Sequence, residues 1–83
     1  MYEYVIVFSS FYKALYAQER LSESGIKSGL MRVPPNLMNS CGYGVFLKRN
    51  AFETAKQILQ SSGIAGTVFR IEQRTGKPEY RAI

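Results

Sequence analysis

Histidine is absent from this 83-residue chain, cysteine occurs once, and the acidic residues number six. Without histidine the usual general base is missing, so hydrolysis by a nucleophile–histidine–acid triad is not expected. One cysteine and six carboxylates with no imidazole make a zinc site improbable, and no metal or other cofactor is expected. One thiol cannot build a disulfide framework, which fits a reducing cytoplasm. No apolar run approaches the roughly 20 residues needed to cross a bilayer. The first residues, Met1-Tyr2-Glu3-Tyr4, lack the basic region and cleavage site of a secretory leader, so none is expected. What is present is a composition of 46% hydrophobic residues, enough for one small packed domain. The formal charge of +5, from eleven Lys/Arg against six Glu/Asp, favours anionic partners or serves solubility alone.

The chain repeats itself. Leu21-Ser22-Glu23-Ser24-Gly25-Ile26 matches Leu59-Gln60-Ser61-Ser62-Gly63-Ile64 at one fixed offset. The same offset aligns Leu30-Met31-Arg32-Val33 with Val68-Phe69-Arg70-Ile71, Val7-Phe8 with Val45-Phe46, and Ala17 with Ala55. Each half reads as strand, helix, glycine turn, strand. Tyr4 to Phe8 is a run of β-formers. Ser9-Ser10 supplies an N-cap, and Phe11, Ala14, Leu15 and Leu21 follow at helical spacing. Gly25 ends that helix, and a second strand covers about Ser28 to Val33. In the other half a strand runs from about Tyr43 to Lys48. Asn50-Ala51-Phe52-Glu53 resembles a capping box, and Phe52, Ala55, Ile58 and Leu59 form a buried stripe. Gly63 stops the second helix, and Gly66 to Glu72 forms a fourth strand.

Two such units predict an α+β fold: the ferredoxin-like β-α-β-β-α-β split sandwich, with a four-stranded antiparallel sheet and both helices on one face. The domain spans residues 1–73, with halves 1–38 and 39–73, and residues 74–83 read as a polar basic tail. In the first strand, Val5 and Val7 are expected to face the helices. Tyr4, Ile6 and Phe8 then join Phe46, Lys48, Arg32 and Arg70 on the open face. An apolar face ringed by arginines is usually covered, and pairing with a second copy of the chain is the plainest way.

Cys41 lies in the joint between the halves, in Val33-Pro34-Pro35-Asn36-Leu37-Met38-Asn39-Ser40-Cys41-Gly42-Tyr43-Gly44. Prolines stiffen one side and glycines free the other. That is loop chemistry, and the connection exceeds a tight hairpin. Thiolates are favoured by nearby cations and oriented backbone N–H groups. Gly42 and Gly44 would turn amides toward the sulfur, Arg32 and Lys48 would add positive charge, and Ser40 would donate a hydrogen bond. The alternative is a small buried thiol that only packs.

Phe8-Ser9, Gly25-Ile26, Pro34, Ser40-Cys41-Gly42 and Gly63-Ile64 stand in that order. In this order, and within this frame, they resemble a small bacterial family of selenium/sulfur-carrier-like proteins. The resemblance covers roughly residues 2 to 71. It implies a cytoplasmic carrier holding sulfur or selenium on Cys41 as a persulfide or selenopersulfide. A desulfurase-type donor and a protein acceptor are implied too, and the chain is then a relay and not a turnover enzyme. A single cysteine suits that task, because a neighbouring thiol would discharge the persulfide as a disulfide.

Two other readings use the same frame. Gly42-Tyr43-Gly44-Val45-Phe46 resembles part of the RNA-recognition-motif signature, which stacks single-stranded bases on sheet aromatics. Cys41 occupies its basic position and Val45 its second aromatic. A ferredoxin-like regulatory or oligomerising module that binds a small ligand needs no chemistry at Cys41.

Overall fold

A computed structural model describes residues 2–33, 42–74 and 76–83. Ser40 and Cys41 lie outside the described residues. The elements run β1 (Tyr4–Phe8), α1 (Phe11–Glu23), β2 (Gly29–Val33), β3 (Gly42–Leu47), α2 (Arg49–Ser61), β4 (Thr67–Arg74) and β5 (Lys77–Ala82). The strands form one sheet in the order β2-β3-β1-β4-β5, and each neighbouring pair is antiparallel.

The repeat is a structural repeat. Phe11–Glu23 and Arg49–Ser61 stand at the sequence offset at both ends. Their buried residues also correspond: Ala14, Ala17 and Leu21 in α1, Phe52, Ala55 and Leu59 in α2. Both helices stop in the same way. Gly25 has φ +80° and Gly63 φ +74°. The Ile26 N–H donates to the Leu21 carbonyl at 2.9 Å, and the Ile64 N–H to that of Leu59 at 3.0 Å. Gly25 and Gly63 donate to Ser22 and Gln60. This pair of bonds closes a helix only through a left-handed residue, which glycine adopts without a side-chain clash. Gly25→Ala and Gly63→Ala should each lower stability by about 1–2 kcal/mol, measured by urea denaturation.

The helix starts are less alike than expected. Ser10 stands at the N-cap of α1 but makes no side-chain cap bond. In α2 the N-cap is Lys48, not Asn50. The Glu3 carboxylate accepts from the Arg49 N–H at 3.1 Å and pairs with the Arg49 guanidinium at 3.2 Å. A distant carboxylate thus replaces a local capping box.

The sheet has five strands, not four. Lys77–Ala82, read as a tail, pairs with β4 from Phe69↔Ala82 to Arg74↔Lys77. Gly76, with φ +78°, lies in the turn between them. The polar composition misled because this strand is an edge. Pro78, Glu79 and Arg81 are tolerated there, and such residues deter pairing with other chains. On β4, Glu72 pairs with Arg70 at 2.7 Å and with Arg81 across the hairpin at 3.4 Å. The hydrogen bond and charge of Glu72 raise the Arg70 guanidinium pKa above its ordinary value.

The faces of β1 are the reverse of the expectation. Ile6, Phe8, Val45 and Leu47 pack with Ala14, Ala17, Leu21, Phe52, Ala55 and Leu59, so both helices cover that side. Among the described residues, Val5, Val7, Val33, Phe46 and Phe69 form a second cluster, on the side of the sheet away from α1 and α2. The cause is a difference between the halves. Ser9 and Ser10 separate β1 from α1, whereas Lys48 alone separates β3 from α2. With the helices held at one offset, the extra residue shifts strand parity by one and exchanges its faces. Phe46 therefore faces away from the helices while Phe8 faces them. Alternation along β2 and β4 puts Arg32 with Leu30, and Arg70 with Val68, on the helix side.

The open face is also less open than expected. Its central residues are at most 8% exposed within the single chain. Tyr2, Ile71 and Tyr80 pack around them, and the Tyr2 and Phe46 rings lie 6.1 Å apart. A second copy would find little apolar area left to cover there.

Candidate functional site at one end of the sheet

Residues 34–41 connect β2 to β3 in sequence, and the flanking residues Val33 and Gly42 mark one end of the sheet. Val33 pairs with Gly42, and Arg32 with Tyr43. Tyr43 in turn faces Phe8, the last residue of β1. Ser9 and Ser10 follow, and α1 begins. The Phe11 ring meets Tyr43 edge-on at 5.3 Å, tying the first turn of α1 to the first residues of β3. Thr67, the first residue of β4, pairs with Val7 on the other flank.

Chain direction thus brings together one helix N-terminus, the ends of β1 and β2, and the start of β3. The first turn of α1 holds no acidic residue and has no side-chain cap. Its N–H groups point toward that end, and a helix N-terminus favours negative charge. Arg32 stands one residue from the β2 end of the connection.

The residues singled out in the sequence separate into groups. Gly42 and Arg32 are at this end. Lys48 follows Leu47 at the opposite end of β3, six residues from Gly42, or about 20 Å along a strand. Lys48 therefore lies at the other end of β3 from Gly42 and Arg32. Gly44 lies within β3 and faces Met31 and Val7. A Cβ built there would sit 2.6 Å from Val5 Cγ2, 2.9 Å from Val33 Cγ1 and 3.0 Å from Phe46 Cε1. Close packing on the open face therefore requires glycine at this position. Gly44→Ala should cost about 1–3 kcal/mol by overpacking, read as a lower urea midpoint at unchanged slope. Gly42 is the first residue of β3 and is held less closely, its Cβ position 3.0 Å from Val7 Cγ1.

The sequence reading missed the first turn of α1 and its neighbour Tyr43. The signal was available: antiparallel pairing of β1 with β3 must put the end of one beside the start of the other. Tyr43 packs against the helix-side core, as does Val45, and Phe46 is 6% exposed. A base-stacking platform on β3 therefore has no free ring. Among the described residues no group of His, Cys, Asp or Glu could hold a metal ion. No helix among them is long and apolar enough to cross a membrane. A cleft of about 480 Å³ opens between Tyr2, Gln18 and Lys27 at the far end.

Residues 3–69 match the family model described as "Putative Se/S carrier protein-like". The chain belongs to this family. The match spans the 34–41 connection and stops inside β4, leaving β5 outside. No curated protein and no solved structure matches the chain. Both left-handed closures, at Gly25 and Gly63, lie within the matched residues.

Proposed function

We propose that this Se/S-carrier-like protein holds a sulfur or selenium atom on Cys41 and passes it between proteins. The observation that carries the reading is where β3 starts. Cys41 is bonded to Gly42, and Gly42 lies at the sheet end where the uncapped first turn of α1 and Arg32 converge. Helix N–H groups and a guanidinium both stabilise a thiolate, the form that attacks and carries chalcogen. Ser40 would support the terminal atom. The absence of a second cysteine means that the loaded sulfur is not lost to an internal disulfide. The strand order β2-β3-β1-β4 is taken as a ferredoxin-like sheet extended by β5, acting as a rigid base for the connection. The protein acts as a relay substrate in the cytoplasm, not as a turnover enzyme.

Loading leaves the number of electrons and protons unchanged. The Cys41 thiolate attacks the outer sulfur of a donor persulfide. A new S–S bond forms, the donor S–S bond breaks with its electron pair, and the donor cysteine leaves as thiolate. Delivery is the same step in reverse, with the acceptor thiolate attacking. Selenium follows the same exchange with selenium as the outer atom.

The test is the rate of Cys41 alkylation by iodoacetamide against pH. The inflection is expected below the free-cysteine value of about 8.5. Arg32→Gln should move it upward, because loss of a cation disfavours the thiolate. Lys48→Gln should leave it in place. An inflection at or above the free value in the wild-type protein would overturn the reading.

A further inference from the structure

The beginning of α1 carries an unusual surface. Phe11 is 42% exposed, Tyr12 80% and Tyr16 49%. Tyr12 and Tyr16 are one helical turn apart on the same side of α1. The Phe11 and Tyr12 rings lie 5.9 Å apart, and Phe11 continues the patch to Tyr43. A cleft of about 230 Å³ borders Tyr16, lined also by Lys13, Gly63, Ile64 and Ala65.

Charge around the patch has one sign. No carboxylate occurs between Glu3 and Glu19, or between Glu23 and Glu53. Glu3 precedes β1, and Glu19 and Glu23 lie in the second half of α1. Glu53 is near the start of α2, and Glu72 and Glu79 oppose each other across β4 and β5. All six thus lie away from the sheet end where α1 begins, and Lys13 stands within the patch. Exposed aromatic rings beside a cleft are the composition of an interface centre, and the missing negative charge selects an acidic partner. A second copy of this chain, itself at +5, would bring like charge to like.

We infer that Phe11, Tyr12 and Tyr16 form the docking surface for an acidic protein that presents a cysteine persulfide to Cys41. This rests on the carrier reading and names its partner surface. Docking there brings the donor persulfide to the sheet end where the exchange described above occurs.

The experiment loads the full-length protein by two routes, from a cysteine desulfurase supplied with L-cysteine and from inorganic polysulfide. Tyr12→Ala and Lys13→Glu are compared with wild type by intact mass over time. Both substitutions should slow desulfurase loading on the order of tenfold. Polysulfide loading should stay unchanged, since that route needs no docking. Added salt should slow the desulfurase route alone. Thermal melts of both variants should match wild type, and Tyr12→Phe should retain the wild-type rate. Equal desulfurase rates for wild type and Tyr12→Ala would overturn the docking surface, as would loading by polysulfide alone. Failure of the wild-type protein to load by either route would instead overturn the carrier reading. Binding of single-stranded poly(U) that Tyr12→Ala abolishes would assign the surface to nucleic acid and overturn the proposal.

Discussion

Incubated with polysulfide, the wild-type protein is expected to gain the mass of one sulfur atom, and Cys41→Ser to gain none. The effect is all-or-none because the chain has a single thiol. Serine keeps the shape of the side chain but cannot form an S–S bond. A reducing thiol should remove the increment, because its thiolate attacks the same outer sulfur. Retention of the increment after reduction would mean that the added mass is not a persulfide. Equal gain by wild type and Cys41→Ser would remove the carrier claim altogether. The serine variant should melt at the wild-type temperature if the thiol works in exchange. A large drop in melting temperature would instead make Cys41 a packing residue.

The largest loss of stability is expected from Phe8→Ala, at about 3–5 kcal/mol. Phe8 is 2% exposed and sits among helix-side residues, so truncation removes a buried ring and leaves a cavity. A domain of this length holds only about 4–12 kcal/mol in total. Phe8→Ala should therefore unfold in a fraction of the urea needed for wild type. Phe11→Ala, three residues on and 42% exposed, should cost far less. The comparison tests the orientation of β1 directly. If Phe8 faced away from the helices at a rim position, the two variants would lose similar stability.

The reversed face of β1 shows where reading by pattern ends. Tyr4-Val5-Ile6-Val7-Phe8 is apolar on both sides, and both sides are in fact buried: Ile6 and Phe8 pack with the helices, and Val5 and Val7 cluster with Val33, Phe46 and Phe69. Alternation carries no information when neither face is polar. Helix stops were clear because Gly25 and Gly63 each have a chemical reason local to six residues. The start of α2 was not, because Glu3 caps it from 46 positions away. Residues Lys77–Ala82 gave no hydrophobic signal for a strand, since an edge strand gains its stability from backbone pairing with β4.

For the candidate site, the sequence pointed to Cys41, Gly42 and Arg32 by proximity along the chain; of these, the described residues Gly42 and Arg32 lie at one end of the sheet. Lys48 was grouped with them by the same proximity. Yet a strand of six residues separates its ends by more than a side chain can bridge. Gly44 was read for backbone freedom, and its role is to admit Val5, Val33 and Phe46.

Composition and local pattern alone determined the single thiol, helices α1 and α2 with their glycine closures, and the duplicated frame. Each depends on contacts within a few residues or on residue identity itself. Only the tertiary structure decided which face of β1 meets the helices, that a fifth strand closes the sheet, and that α1 begins beside the entrance to β3. Those outcomes depend on connection lengths and on pairing between distant segments, where one added residue reverses a strand and no single stretch of chain contains the answer.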